Sequence, residues 1–198
     1  MIKEKRILLK HAGNINPESI KEYLDAGGYK ALHIALSGKP EKVVEEVMNS
    51  GLRGRGGAGF PTGIKKQAAS SRRTETNSYM VCNADEGEPG TFKDRAIMEN
   101  NPHLLIEGMI IAAYSIGAEK GYIYIRGEYY DSIRKLQNAI NQAYDSGYLG
   151  NDILKSGFSF DLELKPGAGS YLCGEELTLL ESIEGKRGYP RIKPPFPA

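Results

Sequence analysis

The chain has 198 residues, enough for one domain with at most an appendage at roughly 150 residues per domain, and for a core that buries about 70% of the unfolded surface. Lys plus Arg number 26 and Asp plus Glu 25, and the net charge of +1 excludes a general binder of nucleic acid or membrane surfaces. Hydrophobic content of 40% is ordinary for a soluble domain, but glycine, 24 of 198 residues or about 12%, exceeds the usual ~7%.

The start, Met1 to Arg6, is charged, and Ile7-Leu8-Leu9 is too short for a signal peptide, so no targeting segment is expected. Residues 1–50 read as an N-terminal helical segment, a cap without chemistry of its own. One helix begins at Pro17, with proline in its first turn, and ends at Gly27-Gly28. A short amphipathic stretch covers 29–37. Pro40 opens a third helix, with Val43, Val44 and Val47 on one stripe, stopped at Asn49 to Gly51. Residues 51–63 follow as a loop with six glycines in thirteen positions, then a helix from Ile64 to Ser71 and a loose polar connection, Arg72 to Ser78.

From Tyr79 strands and helices alternate. Strands are predicted at Tyr79–Asn83, Tyr122–Arg126 and Phe158–Lys165. Helices are predicted at Leu104–Ile116, Tyr130–Tyr144 and Gly174–Ile183, stopped by Gly117, Gly147 and Gly185. Leu104–Ala118 is apolar, but Glu107 interrupts it and it falls short of the ~20 residues of a membrane span. The alternation implies an α/β fold, a Rossmann-like three-layer sandwich with a mainly parallel sheet over 51–198. Loops 84–95, 127–129 and 166–173 then share the carboxyl edge of the sheet, where open α/β sheets bind ligands.

Three loops carry chemistry. Gly54-Arg-Gly56-Gly-Ala-Gly59 matches GxGxxG, but it follows a helix, whereas the dinucleotide fingerprint follows a strand. Its glycines still permit close backbone approach and a nest of N–H groups for an anion. Lys65, a cation in the first turn of the next helix, is best matched by a phosphate there. A plain glycine linker, or a single RNA-binding RGG segment, is the competing reading. The second loop, Asn83 to Arg95, crowds Asp85, Glu86 and Glu88 beyond a strand end. Carboxylates there can accept from ribityl or ribose hydroxyls or a ring N–H. The alternatives are a solvated acidic turn capped by Lys93 and Arg95, or a weak oxygen-ligand metal site. The third, Pro166 to Glu176, combines glycines with Tyr171 as ring and hydroxyl, and Glu175 and Glu176 at a helix start, a pattern that simple capping also explains. The Pro-rich end, Gly188 to Ala198, reads as a linker whose Lys193 and Phe196 could close over a ligand. Cys82 and Cys173 are too few for an iron–sulfur cluster and read as reduced core residues. The three histidines receive no role, and no metal ligand set is expected.

Taken in order, RGRGGAGFPTGIK (53–65), NADEGEPGTFKDR (83–95), GAGSYLCGEE (167–176) and PRIKPPFPA (190–198) resemble the flavin-carrying, NADH-oxidising subunit of respiratory complex I, the 51 kDa or F-type subunit. They are similar also to the related subunit of NAD-dependent, electron-bifurcating iron hydrogenases. The resemblance runs from about residue 30 to 198. It implies an oxidoreductase module, an NADH dehydrogenase that moves a hydride from NADH to FMN and passes electrons to iron–sulfur clusters in a partner subunit. By the resemblance, Gly54, Gly56 and Lys65 hold the flavin and its phosphate region, and Asn83, Asp85 and nearby Glu86 the flavin and ribityl. Tyr171, Gly174 and Glu175 line the same cavity. Glu88 lies near the nicotinamide, Phe60 and Phe196 contact the NADH adenine beside Lys193, and Glu176 accepts from the adenosine ribose. That carboxylate would repel the extra phosphate of NADPH. A cytoplasmic location follows, free or peripheral on a membrane complex, with no membrane insertion and no nucleic acid.

The sequence departs from the family twice. Lys65-Lys-Gln-Ala68 stands where many members carry Lys-Trp-Ser-Phe, so one adenine-stacking ring is absent, a loss on the order of 1 kcal/mol by analogy with base stacking. The family also continues past PPFPA with an asparagine-rich loop, a ubiquitin-like domain and a helical domain with a 4Fe-4S cluster. The rival class is a non-catalytic module that binds NAD(H) or docks a partner subunit without retaining flavin; a flavodoxin-like carrier is a third.

Overall fold

The computed structural model describes residues 5–71, 78–194 and 196–197. The expected loose connection, apart from Ser78, and the first four residues lie outside the described residues.

Four short helices come first: α1 (Ile20–Asp25), α2 (Lys30–Ser37), α3 (Pro40–Asn49) and α4 (Thr62–Ser70). Ser19 caps α1 by accepting from the Glu22 N–H, and Pro40 starts α3, where a missing N–H costs nothing. Then follow β1 (Tyr79–Ala84), α5 (Lys93–Asn100), α6 (Pro102–Ile116), β2 (Lys120–Arg126), α7 (Tyr130–Asp145), β3 (Asp161–Gly167) and α8 (Glu176–Ile183). Gly117 ends α6 in the left-handed conformation at φ 70°, where a side chain is strained.

The three strands form one parallel sheet in the order β1-β2-β3, with Tyr79 opposite Lys120 and Lys120 opposite Asp161. Successive side chains alternate between faces. One face, with Met80, Cys82, Ile123, Ile125, Leu162 and Leu164, packs on α6 and α7 in the main core. On the other face Val81 and Tyr124 meet Cys173 and the α8 residues Leu179, Leu180 and Ile183 in a smaller cluster. Helix, sheet and helix layers match the predicted sandwich.

The N-terminal helices share the main core. Tyr23, Tyr29 and Leu32 are buried in the same cluster as Ile106, Ile110 and Ile140. Glu107, the interruption of the apolar run, is itself buried and accepts from the Tyr23 hydroxyl and from the backbone N–H groups of Tyr29 and Leu32. His103, to which the sequence reading gave no role, bonds Tyr29 through Nδ1 and Gln142 through Nε2. No helix among the described residues is long and apolar enough to cross a membrane.

The structure corrects three local expectations. The polar loop after β1 is shorter than predicted, because α5 begins at Lys93. Its sequence, KDRAIMEN, has too little apolar periodicity to announce a helix, and its first N–H groups are capped from outside by Glu86. β3 begins at Asp161 rather than Phe158, since Phe160 bridges back to Gly150 and turns its ring into the core. The helix predicted from Gly174 splits into a 3-10 turn, Tyr171–Gly174, and α8.

Candidate functional site

The carboxyl end of β1 opens onto a cavity of about 600 Å³, within the range of small-molecule sites. Its walls come from three stretches the sequence singled out: Arg55 and Gly56 from the glycine loop, Asn83 near the end of β1 with Asp85 to Glu88 beyond it, and Tyr171, Leu172, Gly174 and Glu175 before α8. Thr91, Lys93 and Asp94 close the side toward α5.

Each loop is held by its own means. The glycine loop is closed at its neck by an antiparallel rung between Arg53 and Pro61. Gly54 N–H donates to the Phe60 carbonyl at 3.0 Å, and Arg53 Nη1 to the Gly59 carbonyl at 3.1 Å. Beyond this neck, a Cβ on Gly56 or Gly57 would meet no atom within 4 Å. Gly56 therefore presents bare backbone to the cavity.

Near the end of β1, Asn83 donates through Nδ2 to the Gly174 carbonyl at 2.8 Å, tying the base of the second loop to the third. The Glu86 carboxylate is buried and accepts from the Asp94 and Arg95 N–H groups at 2.9 and 3.2 Å. It caps α5, a task its N-cap Phe92 cannot perform. Glu86 is thus in the cavity wall with its carboxylate already engaged. Asp85 is the opposite case: its Oδ2 is buried without a hydrogen-bond partner. Burial raises the Asp85 pKa, the Arg126 guanidinium lowers it, and Glu128 raises it further; the net direction is up.

Tyr171 lies across Gly87, whose Cβ would come within 3.2 Å of the ring, and donates its hydroxyl to Glu88 Oε2 at 2.8 Å. Glu175 caps α8, accepting from the Leu177 and Thr178 N–H groups and the Thr178 hydroxyl. Burial pushes its pKa up, but the bonds from Thr178, Lys193 and Leu177 outweigh this and hold it low. Lys193 reaches both Glu175 and Glu176.

The cavity therefore gathers Gly56, Asn83, Asp85, Glu86, Glu88, Tyr171, Gly174 and Glu175 from the sequence reading. Gly54, Phe60, Lys65, Glu176, Lys193 and Phe196 do not line it. Phe196 instead borders a separate apolar groove of about 110 Å³ with Leu177, Leu180 and Ile192. Phe60 and Lys65 are exposed. Lys66, at the position where the resemblance expects tryptophan, tucks its ammonium toward the Ala112 carbonyl at 3.4 Å, and burial lowers its pKa to about 8. Sequence reasoning missed Arg55 and Thr91, and took Lys93 only as a partner for the acidic turn. Arg55 sits inside the GxGxxG string, so its position was the available signal.

Chemically, the walls are rich in acceptors, with Arg55 and Lys93 as their cations. Such a site suits a polyhydroxylated ligand with ring N–H donors and an anionic end. Two features fit FMN in particular: an unpartnered buried carboxylate oxygen and a glycine cradle that any side chain would fill.

The Nuo51 FMN-binding domain family matches residues 47–198. The chain belongs to this family. It is 53% identical to the second F-type subunit of NADH-quinone oxidoreductase from Rhizobium meliloti, over 97% of its length and 46% of that protein. It is 55% identical to the F-type subunit of NADH-quinone oxidoreductase from Aquifex aeolicus, over 96% of this chain and 44% of that one. It is 53% identical to the HndC subunit of the NADP-reducing hydrogenase of Solidesulfovibrio fructosivorans, over 99% and 40%. This chain thus spans less than half the length of these relatives. Among solved structures, a chain of the NAD+-reducing NiFe-hydrogenase in the H2-reduced state superposes with a TM-score of 0.76 at 38% identity. That likeness covers 97% of this chain and 30% of the other.

Proposed function

We propose that the chain is the flavin- and nicotinamide-binding module of an NADH-oxidising complex. The carrying observation is the cavity at the carboxyl edge of the sheet, whose lining includes both bare glycine backbone at Gly56 and Asp85, one of whose carboxylate oxygens is buried without a partner. FMN, when bound, supplies the capacity to accept a hydride. The protein's part is to bind, orient and exclude, with no side-chain acid or base required.

Asp85 is the acceptor for a ribityl hydroxyl or a ring N–H, since its free oxygen is otherwise unsatisfied. Asn83 fixes the distance between two walls through its bond to Gly174. Glu86 shapes the wall through its backbone while its carboxylate keeps α5 in place. Arg55, beside the cradle, and Lys93, at the α5 end, offer charge to the phosphate, a role that Gly54 and Lys65 support from outside the cavity. Glu88 and Tyr171, bonded to each other, face the nicotinamide end.

The adenosine half of NADH is assigned to the groove beside α8. Phe196 and Ile192 give it apolar walls, with Glu176 and Lys193 nearby, and Phe60 is assigned to the adenine on the family resemblance. Glu176 disfavours a 2′-phosphate, which makes NADH the preferred donor. Electrons then leave to iron–sulfur clusters outside this chain, in a partner subunit of a complex I-like or hydrogenase assembly in the cytoplasm or on its membrane face.

The test is a visible absorption spectrum of the purified protein before and after added FMN and NADH. A flavin spectrum bleached by NADH, with NADH-dependent ferricyanide reduction, is expected. Tight NAD(H) binding without flavin would leave the non-catalytic nucleotide-binding or docking module standing instead.

A further inference from the structure

Glu88-Pro-Gly-Thr91 has the sequence and the positive φ of a type II turn: proline at its second position, and Gly90 with φ 82° at its third. Thr91 spends both of its donors on one acceptor. Its N–H reaches the Glu88 carbonyl at 3.2 Å, the bond that closes the turn, and its hydroxyl reaches the same carbonyl at 2.6 Å. Glu88, Pro89 and Gly90 are exposed, and a Cβ on Gly90 would meet no atom within 4 Å. The turn is therefore placed by these two hydrogen bonds rather than by packing. Glu88 is held a second time through its side chain, where Oε2 accepts from the Tyr171 hydroxyl at 2.8 Å and the Tyr171 ring lies across Gly87. Thr91, Glu88 and Tyr171 all line the cavity. With N–H and O–H both committed, Thr91 has no donor left for a ligand.

We propose that Thr91 is a positioning residue for the nicotinamide end of the cavity: by locking the Glu88 carbonyl it fixes where the Glu88 carboxylate and the Tyr171 hydroxyl stand. The inference rests on the assignment of Glu88 and Tyr171 to the nicotinamide above, and deepens it. Without the Thr91 hydroxyl, only the longer N–H bond closes the turn. The Glu88 backbone then gains freedom, and its carboxylate moves with it. A dinucleotide would have to order this pair on binding instead of meeting it already ordered, and affinity falls by the cost of that ordering. The effect is confined to the part of the ligand that reaches Glu88. A hydroxyl that only stabilised the turn would alter folding and leave that part of the affinity alone.

The test measures affinity for NAD+ and for ADP-ribose by calorimetry on the FMN-loaded protein, alongside thermal melts. NAD+ cannot reduce the flavin, so the readout is binding alone, and ADP-ribose lacks only the nicotinamide. Thr91→Val keeps the shape and loses the hydroxyl; it should weaken NAD+ binding about fivefold, the worth of one net hydrogen bond, and leave ADP-ribose binding unmoved. Thr91→Ser should restore NAD+ affinity. Glu88→Ala should weaken NAD+ binding as well, and adding Thr91→Val to it should cost nothing further, because the residue through which Thr91 acts is gone. Losses that multiply in the double variant overturn the inference. So does an equal loss for ADP-ribose, and so does a lower melting temperature of Thr91→Val with unchanged NAD+ affinity. If Thr91→Val does not fold, Thr91→Ala carries the same comparison. A wild type that binds no FMN or no NAD+ overturns the proposed function and this inference with it; a wild type that binds both, with no selective loss of NAD+ in Thr91→Val, overturns this inference alone.

Discussion

The hydroxyl of Tyr23 lies 2.6 Å from Oε2 of Glu107, and both side chains are buried. The same carboxylate oxygen accepts from the Tyr29 N–H at 2.9 Å, and Oε1 accepts from the Leu32 N–H at 3.2 Å. One carboxylate in the middle of α6 thus satisfies the end of α1 and the start of α2 together.

Replacing Glu107 by leucine should therefore cost more than a lost contact. It strands a phenol hydroxyl and two backbone donors in the core, at roughly 1–3 kcal/mol for each group that finds no water. A chemical denaturation curve should show a lower midpoint by an amount of this order, and protease should cut first within residues 20–37. Tyr23→Phe removes one donor only and should cost about 1 kcal/mol. Equal midpoints for Glu107→Leu and wild type would contradict the account.

His103 gives a pH signature. Burial lowers its pKa from 6.5 to about 4, with the Gln142 bond acting weakly in the other direction. Because the folded value is depressed, the unfolded chain binds more protons between these two values, so stability falls as pH drops through that window. The full effect is about 3 kcal/mol in order of magnitude. His103→Asn should flatten the slope of melting temperature against pH between pH 6.5 and about 4, while lowering stability at neutral pH through lost packing. An unchanged slope would show that another group carries the acid sensitivity.

Gly56→Val separates site from scaffold. A Cβ there meets no protein atom within 4 Å, so folding stability should stay within about 0.5 kcal/mol of wild type. The side chain would project into the proposed flavin cradle and should abolish FMN binding. Fluorescence titration alongside a thermal melt reads both at once; unchanged FMN affinity would remove Gly56 from the site.

Glu86→Ala should do the reverse and destabilise. It uncaps α5, whose own N-cap residue offers no side-chain bond, at a cost of about 1–2 kcal/mol. Amide exchange should accelerate first at Asp94 and Arg95. Exchange no faster there than elsewhere would argue that water replaces the cap without loss.

Much of the fold was legible because it is written in simple periods. The three apolar strand runs, the amphipathic stripe of α7 and the glycine stops after α6 and α7 each reflect a local steric or solvation rule. What was not legible depended on distant partners. α5 has no apolar stripe, and its cap comes from Glu86 on the preceding loop. Phe160 looked like strand because its pairing with Gly150 across a turn leaves no mark on its neighbours. Of the site, the three loops were visible as glycine and carboxylate clusters. Their internal division of labour was not: nothing in NADEGEP distinguishes Asp85, whose oxygen is free, from Glu86, whose oxygens are spent.

The rung between Arg53 and Pro61 gives the glycine loop a fixed hinge and an unpacked tip. A tip with open space around Gly56 and Gly57 can adjust to the thickness of whatever slides beneath it. The molecule thereby separates compliance from strength: the rim yields to the guest, while the barrier to unfolding stays where the helices are packed.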